Sequence, residues 1–141
     1  MSTPAQSRAR YQREAILAAS PARLVTLLYD RLVLDLSRAA AAQESSDWLA
    51  ASKLLLHAQA IIAELSASLD VRVWNGGERL QALYTYTSQA LVLANINRDI
   101  GRTREALDLI VPLRDAWLEA SAESVTPLPI AGPDGRTLGI A

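Results

Sequence analysis

The chain has no cysteine, no phenylalanine and a single histidine, His57, among its 141 residues. Without thiols, disulfides and thiolate metal sites are excluded, and a reducing cytoplasm is the expected compartment. One histidine cannot furnish a di-iron bundle, which draws a Glu-x-x-His motif from each of two helices. A nucleophile triad would have to use His57, and no Gly-x-Ser-x-Gly turn accompanies it. The fifteen carboxylates are scattered, with no pair on an apolar face to suggest acid–base tuning. No signal-peptide pattern is present and no apolar run has the length of a membrane span. A formal net charge of −1 gives no long-range attraction to nucleic acid. Locally, Arg8, Arg10 and Arg13 make the amino terminus basic, which reads as a solvated arm.

What remains is rich in Ala and Leu, with half of all residues apolar and aromatics at only 5%, so aliphatic side chains must fill the core. This length suits one domain. Both abundant residues favour helix, and no alternating β-branched run competes. Residues 1–10 are polar and aperiodic, and a short helical patch is expected from Tyr11 to Ala19. Ser20-Pro21 is a helix start, with Ser20 as cap and Pro21 at the first helical position. That helix is predicted to reach about Gln43, burying Val25, Leu28, Tyr29, Leu32, Leu36 and Ala39. Ser46 or Asp47 should cap a second helix running to about Leu69, with Leu54, Leu55, Ala58, Ile61, Ile62, Leu65 and Leu69 inside.

Asn75-Gly76-Gly77 is turn chemistry; as a phosphate cradle it lacks a preceding strand and a lysine. A third helix follows to about Arg98, with Leu80, Leu83, Tyr84, Thr87, Ala90, Leu91 and Ala94 on one stripe. A tight connection around Gly101 leads to a fourth, from Thr103 to about Ser121, using Ala106, Ile110, Leu113 and Trp117. After Glu123, three prolines and three glycines mark a mobile tail. The reading is all-α: an antiparallel up-down four-helix bundle over residues 20–121, with a short N-terminal helical segment in a mobile stretch 1–19 and a disordered or loosely docked tail over 122–141.

A bundle helix needs about three apolar positions in seven, and these helices carry more. Leu24, Leu27 and Leu34 form a second stripe beside Arg31, Asp35 and Arg38. Leu49, Leu56 and Ala63 repeat at intervals of seven, as do Tyr86 and Leu93. Such stripes predict apolar grooves outside the bundle, the seat of a partner or of a second copy in a weak homodimer. His57 raises a different possibility, a phosphotransfer module with one exposed histidine in mid-helix. The residues after it, in "HAQAI", lack the basic residue and glycine that this chemistry favours. A solvated surface histidine fits better.

Four blocks, in order, resemble the flagellin-specific export chaperones, the FliS family. These are Tyr11 and Ile16 ahead of "SPARLVTLLYDRLVLDL"; "HAQAIIAELSASLD"; "GGERLQALYTYTSQALVLANINRD"; and "LRDAW". Together they cover residues 11 to 121. The resemblance implies a cytoplasmic protein without enzymatic activity or cofactor. It would bind the disordered C-terminal segment of flagellin as helical pieces in apolar grooves, prevent premature polymerisation and keep the client competent for type III export. It also implies the export apparatus as partner and leaves room for an anti-sigma factor or another flagellar regulator. A homo-oligomeric adaptor for some other helical client is the remaining alternative.

By that likeness Tyr11 and Ile16 belong to a segment that covers a groove when it is empty. Leu28, Tyr29 and Tyr84 are expected in the core, with the tyrosine hydroxyls reaching the surface. Leu27, Tyr86, Leu93 and Ile96 are the expected client contacts, joined by Leu24, Leu34 and Leu56 from the stripes. Asn95 and Asp99 either pair with client backbone or cap the end of the third helix. Trp117 should close the bundle. Pro112 departs from the family pattern and predicts a kink near residues 108–112, or two shorter helical pieces. The tail is left to disorder or to docking of Leu128 and Ile130 in a groove.

Overall fold

The computed structural model describes residues 3–10, 21–69 and 76–125. Four helices form the bundle: α1 (Pro21–Glu44), α2 (Trp48–Ser68), α3 (Gly77–Ile96) and α4 (Ile100–Val125). α1 packs against α2 and α4, and α3 against the same two, so α1 and α3 lie across a diagonal. Leu32, Leu36, Leu55, Ile62, Leu91 and Ile110 are fully buried at the centre. Every residue predicted for the main stripe of α1 is buried or packed on this cluster. At about 25 cal/mol per Å², each such aliphatic side chain contributes about 1.5–3 kcal/mol, which is how a core without phenylalanine holds.

The helix ends show how the chain turns. Of the two candidate caps for α2, Asp47 serves: its carboxylate accepts from the Ala50 amide at 3.3 Å, while Ser46 has a left-handed φ of 59°. Gly76 enters α3 with φ 90°, a conformation that favours glycine. Asp99 serves both helix ends: its amide donates to the Ala94 carbonyl at 3.0 Å and closes α3, while its Oδ1 accepts from the Gly101 amide at 2.9 Å and caps the start of α4, which begins at Ile100 rather than Thr103 and takes Gly101 into the helix. Residues 4–10, expected to lack periodicity, are helical. There Thr3 Oγ1 accepts from the Gln6 amide and Gln6 Oε1 accepts from the Thr3 amide, both at 3.1 Å, and Pro4 follows the cap.

Pro112 does not divide the last helix, which is continuous from Ile100 to Val125 and outlasts its expected end at Ser121. The physical reason is its position. Pro112 and Asp108 both face solvent, so water can satisfy the Asp108 carbonyl that proline leaves without an amide donor.

Across the diagonal the Tyr29 and Tyr84 hydroxyls bond to each other at 2.5 Å inside the core, rather than reaching the surface. Gln43 ties the opposite end: its Nε2 donates to the Ala94 carbonyl at 3.2 Å and its Oε1 accepts from Thr103 Oγ1 at 2.6 Å. Trp117 packs on the core and donates from Nε1 to Thr26 Oγ1 at 2.9 Å, closing α4 onto α1. Arg114 adds an ion pair to Asp30 along that same seam.

Candidate functional site

Among the described residues nine large apolar side chains stand exposed: Leu24, Leu27 and Leu34 on α1, Leu49 and Leu56 on α2, and Tyr86, Val92, Leu93 and Ile96 on α3. Seven of the sequence-predicted site residues are among them. Tyr11 and Ile16 lie outside the described residues. Leu49 and Val92 were missing from the predicted set, although the seven-residue repeat that selected Leu56 also contains Leu49.

These side chains do not share one groove. Asp35 reaches His57 on α2, which places the neighbouring Leu24, Leu27 and Leu34 stripe on the α2-facing edge of α1. The Tyr86 hydroxyl donates to Glu105 Oε2 at 2.6 Å, so Tyr86 and Leu93, two helical turns on, border α4. Leu49 and Leu56, with Val92 and Ile96, flank the seam between α2 and α3. Short side chains leave that seam open. One cavity of about 240 Å³ lies among Ile62, Ala63, Ser66, Tyr84, Thr85 and Ser88. A second, of about 270 Å³, lies nearer the Gln43 end, among Trp48, Ser52, Leu55, Asn95, Ile96 and Arg98. Asn95 thus lines a cavity, half-buried, and Asp99 stands at the α4 cap.

Asp35, expected beside the outer leucine stripe of α1, is instead fully buried and receives Arg31 Nε at 3.1 Å and His57 Nδ1. His57 is half-exposed, as expected of a surface histidine, but one ring nitrogen is held by that carboxylate. The signal for this pair lay in its long-range partner, which helical periodicity within α1 does not carry.

The tyrosines divide by environment. Burial raises the Tyr29 and Tyr84 hydroxyl pKa values above the ordinary value, and the hydrogen bond with Tyr29 raises Tyr84 further. Exposed Tyr86 is raised chiefly by its hydrogen bond to the Glu105 carboxylate. Among the described residues no three His, Cys, Asp or Glu side chains gather as a metal site, and no helix is long and apolar enough to cross a membrane. The site is therefore a set of apolar edges and shallow seams, suited to another polypeptide.

Comparison with known proteins places this architecture. The family model described as "Flagellar protein FliS" matches residues 4–124. The chain is similar to the flagellar secretion chaperone FliS of Bacillus subtilis, 33% identical over 110 residues, covering 78% of this chain and 82% of that one. It is also similar to the flagellar secretion chaperone FliS of Salmonella typhimurium, 32% identical over 114 residues, covering 78% and 83%. A solved structure, titled "Crystal structure of flagellar chaperone from bacteria", superposes with a TM-score of 0.67 at 17% identity, covering 86% of this chain and 99% of that one, and supports the fold. The match runs through all four helices of the bundle, and the chain belongs to the FliS family of flagellar secretion chaperones.

Proposed function

We propose that this protein is a cytoplasmic chaperone for flagellin, which binds the client's C-terminal segment on the outer faces of α1, α2 and α3. The observation that carries the reading is the set of unpartnered large apolar side chains on three successive helices. Such faces suit amphipathic helical pieces of a client laid against them.

Magnitudes favour several seats over one. Ordering one client residue costs about 1–2 kcal/mol of backbone entropy. One Leu-sized anchor returns about 1.5–3 kcal/mol, enough for only one or two residues. A long disordered segment therefore needs anchors repeated along it, and stripes on three helices supply them. A segment held this way is shielded from polymerisation and remains unfolded enough for type III export.

The test is calorimetric titration with the C-terminal segment of flagellin from the same organism, followed in parallel by circular dichroism. One-to-one binding with a gain of helix is expected. Leu93→Asp should weaken it without changing the chaperone's own melting curve. No binding at tens of micromolar would sink the flagellin assignment and leave an adaptor for another helical client.

A further inference from the structure

The cavity at the Gln43 end of the α2–α3 seam differs from its neighbour in charge. Arg98 is the charged residue of its lining, whereas the cavity around Ser66 and Ser88 is lined by neutral residues alone. The carboxylates at this end already have partners. Glu44 binds Arg104 at 2.7 Å, Asp47 accepts from the Ala50 amide, Asp99 accepts from the Gly101 amide and Glu105 accepts from Tyr86. Among the described residues Arg98 has no carboxylate partner. Its guanidinium carbon lies 5.0 Å from the centroid of the Trp48 ring. Stacking of this kind occupies the face of the guanidinium and leaves its N–H edge free to donate.

Two further polar groups line the same cavity without a hydrogen bond among the described residues, the Ser52 hydroxyl and the half-buried Asn95 amide. Gln43, behind them, is committed at both ends of its amide to Ala94 and Thr103, so it serves as a fixed wall. The backbone adds an argument. Arg98 has a φ of 53°, just past the end of α3, where glycine or asparagine is favoured. The Asp99 amide, donating to the Ala94 carbonyl at 3.0 Å, closes the helix around it and fixes the point from which the Arg98 side chain leaves the backbone.

We infer that the cavity formed by Trp48, Ser52, Asn95 and Arg98 is a recognition site for a carboxylate side chain, an Asp or Glu of the bound client. The guanidinium edge supplies charge and a paired donor geometry, and Asn95 and Ser52 supply neutral donors. The neighbouring cavity, without a charge, takes an uncharged side chain. Along α2, Ser52 and Ala63 are separated by about 16 Å at the helical rise. A helical client piece filling both cavities therefore carries its acid about 11 residues from that anchor. The site fixes the register of a client that apolar contacts alone would let slide. The identity of the client rests on the flagellin reading; the carboxylate chemistry does not.

The first arm of the test needs no flagellin. The full chain, labelled with nitrogen-15, is titrated with N-acetyl-glutamate N-methylamide and, separately, with the glutamine analogue. The acid alone should shift the Asn95 side-chain amide and Arg98 Nε resonances; equal shifts, or none, overturn the inference. The second arm is a double-mutant cycle with the flagellin segment. Arg98→Gln should weaken binding about tenfold, in the range of a charged hydrogen bond, and acid-to-amide changes in the segment should cost nothing further in that variant. Independent, additive losses would overturn the pairing. Loss caused by amidating the segment's C-terminus, with side-chain acids silent, would overturn the side-chain assignment. If the wild-type segment does not bind at all, the flagellin reading fails and the first arm still decides the site.

Discussion

α3 and α4 occupy equivalent corners of one bundle, yet their outward faces are chemically opposed. On α3 the exposed line carries Tyr86, Leu93 and Ile96, with Val92 beside it. On α4 the equivalent line carries Arg104, Asp108, Pro112, Asp115 and Glu119, all exposed. Both helices bury the same kind of inner face, with Ala90, Leu91 and Ala94 on one and Ala106 and Ile110 on the other. The bundle therefore does not require an apolar exterior, because α4 folds without one. Apolar side chains held in water on α1, α2 and α3 call for another explanation, and the client seat proposed above is one.

The strongest way to break that comparison is to charge the α3 face. Leu93→Asp together with Ile96→Asp should cost about 3–6 kcal/mol of binding, two anchors' worth, and leave flagellin-segment titrations flat. Thermal unfolding should shift little, since exposed positions seldom matter to folding. Replacing Asp108 and Glu119 by alanine on α4 should leave the affinity as it was. If the α4 pair weakened binding as much as the α3 pair, the seat would not be confined to the apolar faces.

That asymmetry was partly legible in the sequence. The repeats at Leu49 and Leu56 and at Tyr86 and Leu93 announce exposed stripes, because positions seven apart share a helix face whatever that face meets. What each edge meets is not written in the repeat. Leu93 borders α4 and Ile96 borders α2, although only three residues separate them, and that division follows from which helices are neighbours. Asp35 escaped for the same reason: its partner His57 lies on another helix. The end cavity was invisible because it is assembled from the start of α2 and the end of α3. That α4 continues through Pro112 without dividing was not legible, because propensity prices the lost hydrogen bond without knowing whether the freed carbonyl faces water.

Pro112 also sharpens the contrast, since it sits on the charged outer line. Pro112→Ala restores an amide donor to an exposed helix interior and should raise the free energy of unfolding by roughly 1–3 kcal/mol. Client affinity should not change. Chemical denaturation with paired calorimetry checks both, and an affinity change would mean that the course of α4 shapes a seat.

Alkaline titration separates the buried tyrosines from the exposed one. Tyr29 and Tyr84 ionise less readily folded than unfolded, so the native state holds more protons once the pH exceeds their ordinary value near 10. Their contribution is fully present below that pH and is lost as pH rises further, by up to about 1.4 kcal/mol per pH unit for each hydroxyl. Denaturation midpoints measured from pH 9 upward should fall, and Tyr29→Phe with Tyr84→Phe should flatten the slope. Tyr86→Phe should flatten it less, because the influence of Glu105 on that exposed hydroxyl is screened by water.

The smallest effect is expected at the border between the two faces, where Tyr86 donates to Glu105. This bond ties the apolar line of α3 to the charged helix beside it, but it is solvent-exposed, and water replaces either partner at little cost. Tyr86→Phe keeps the ring and removes the bond, so affinity for the flagellin segment should stay within a few-fold of wild type. Tyr86→Ala removes the ring as well and should weaken binding more. If phenylalanine instead weakened binding as much as alanine, the hydroxyl and its carboxylate partner would be part of the seat. The boundary would then fall on α4 rather than at the edge of α3.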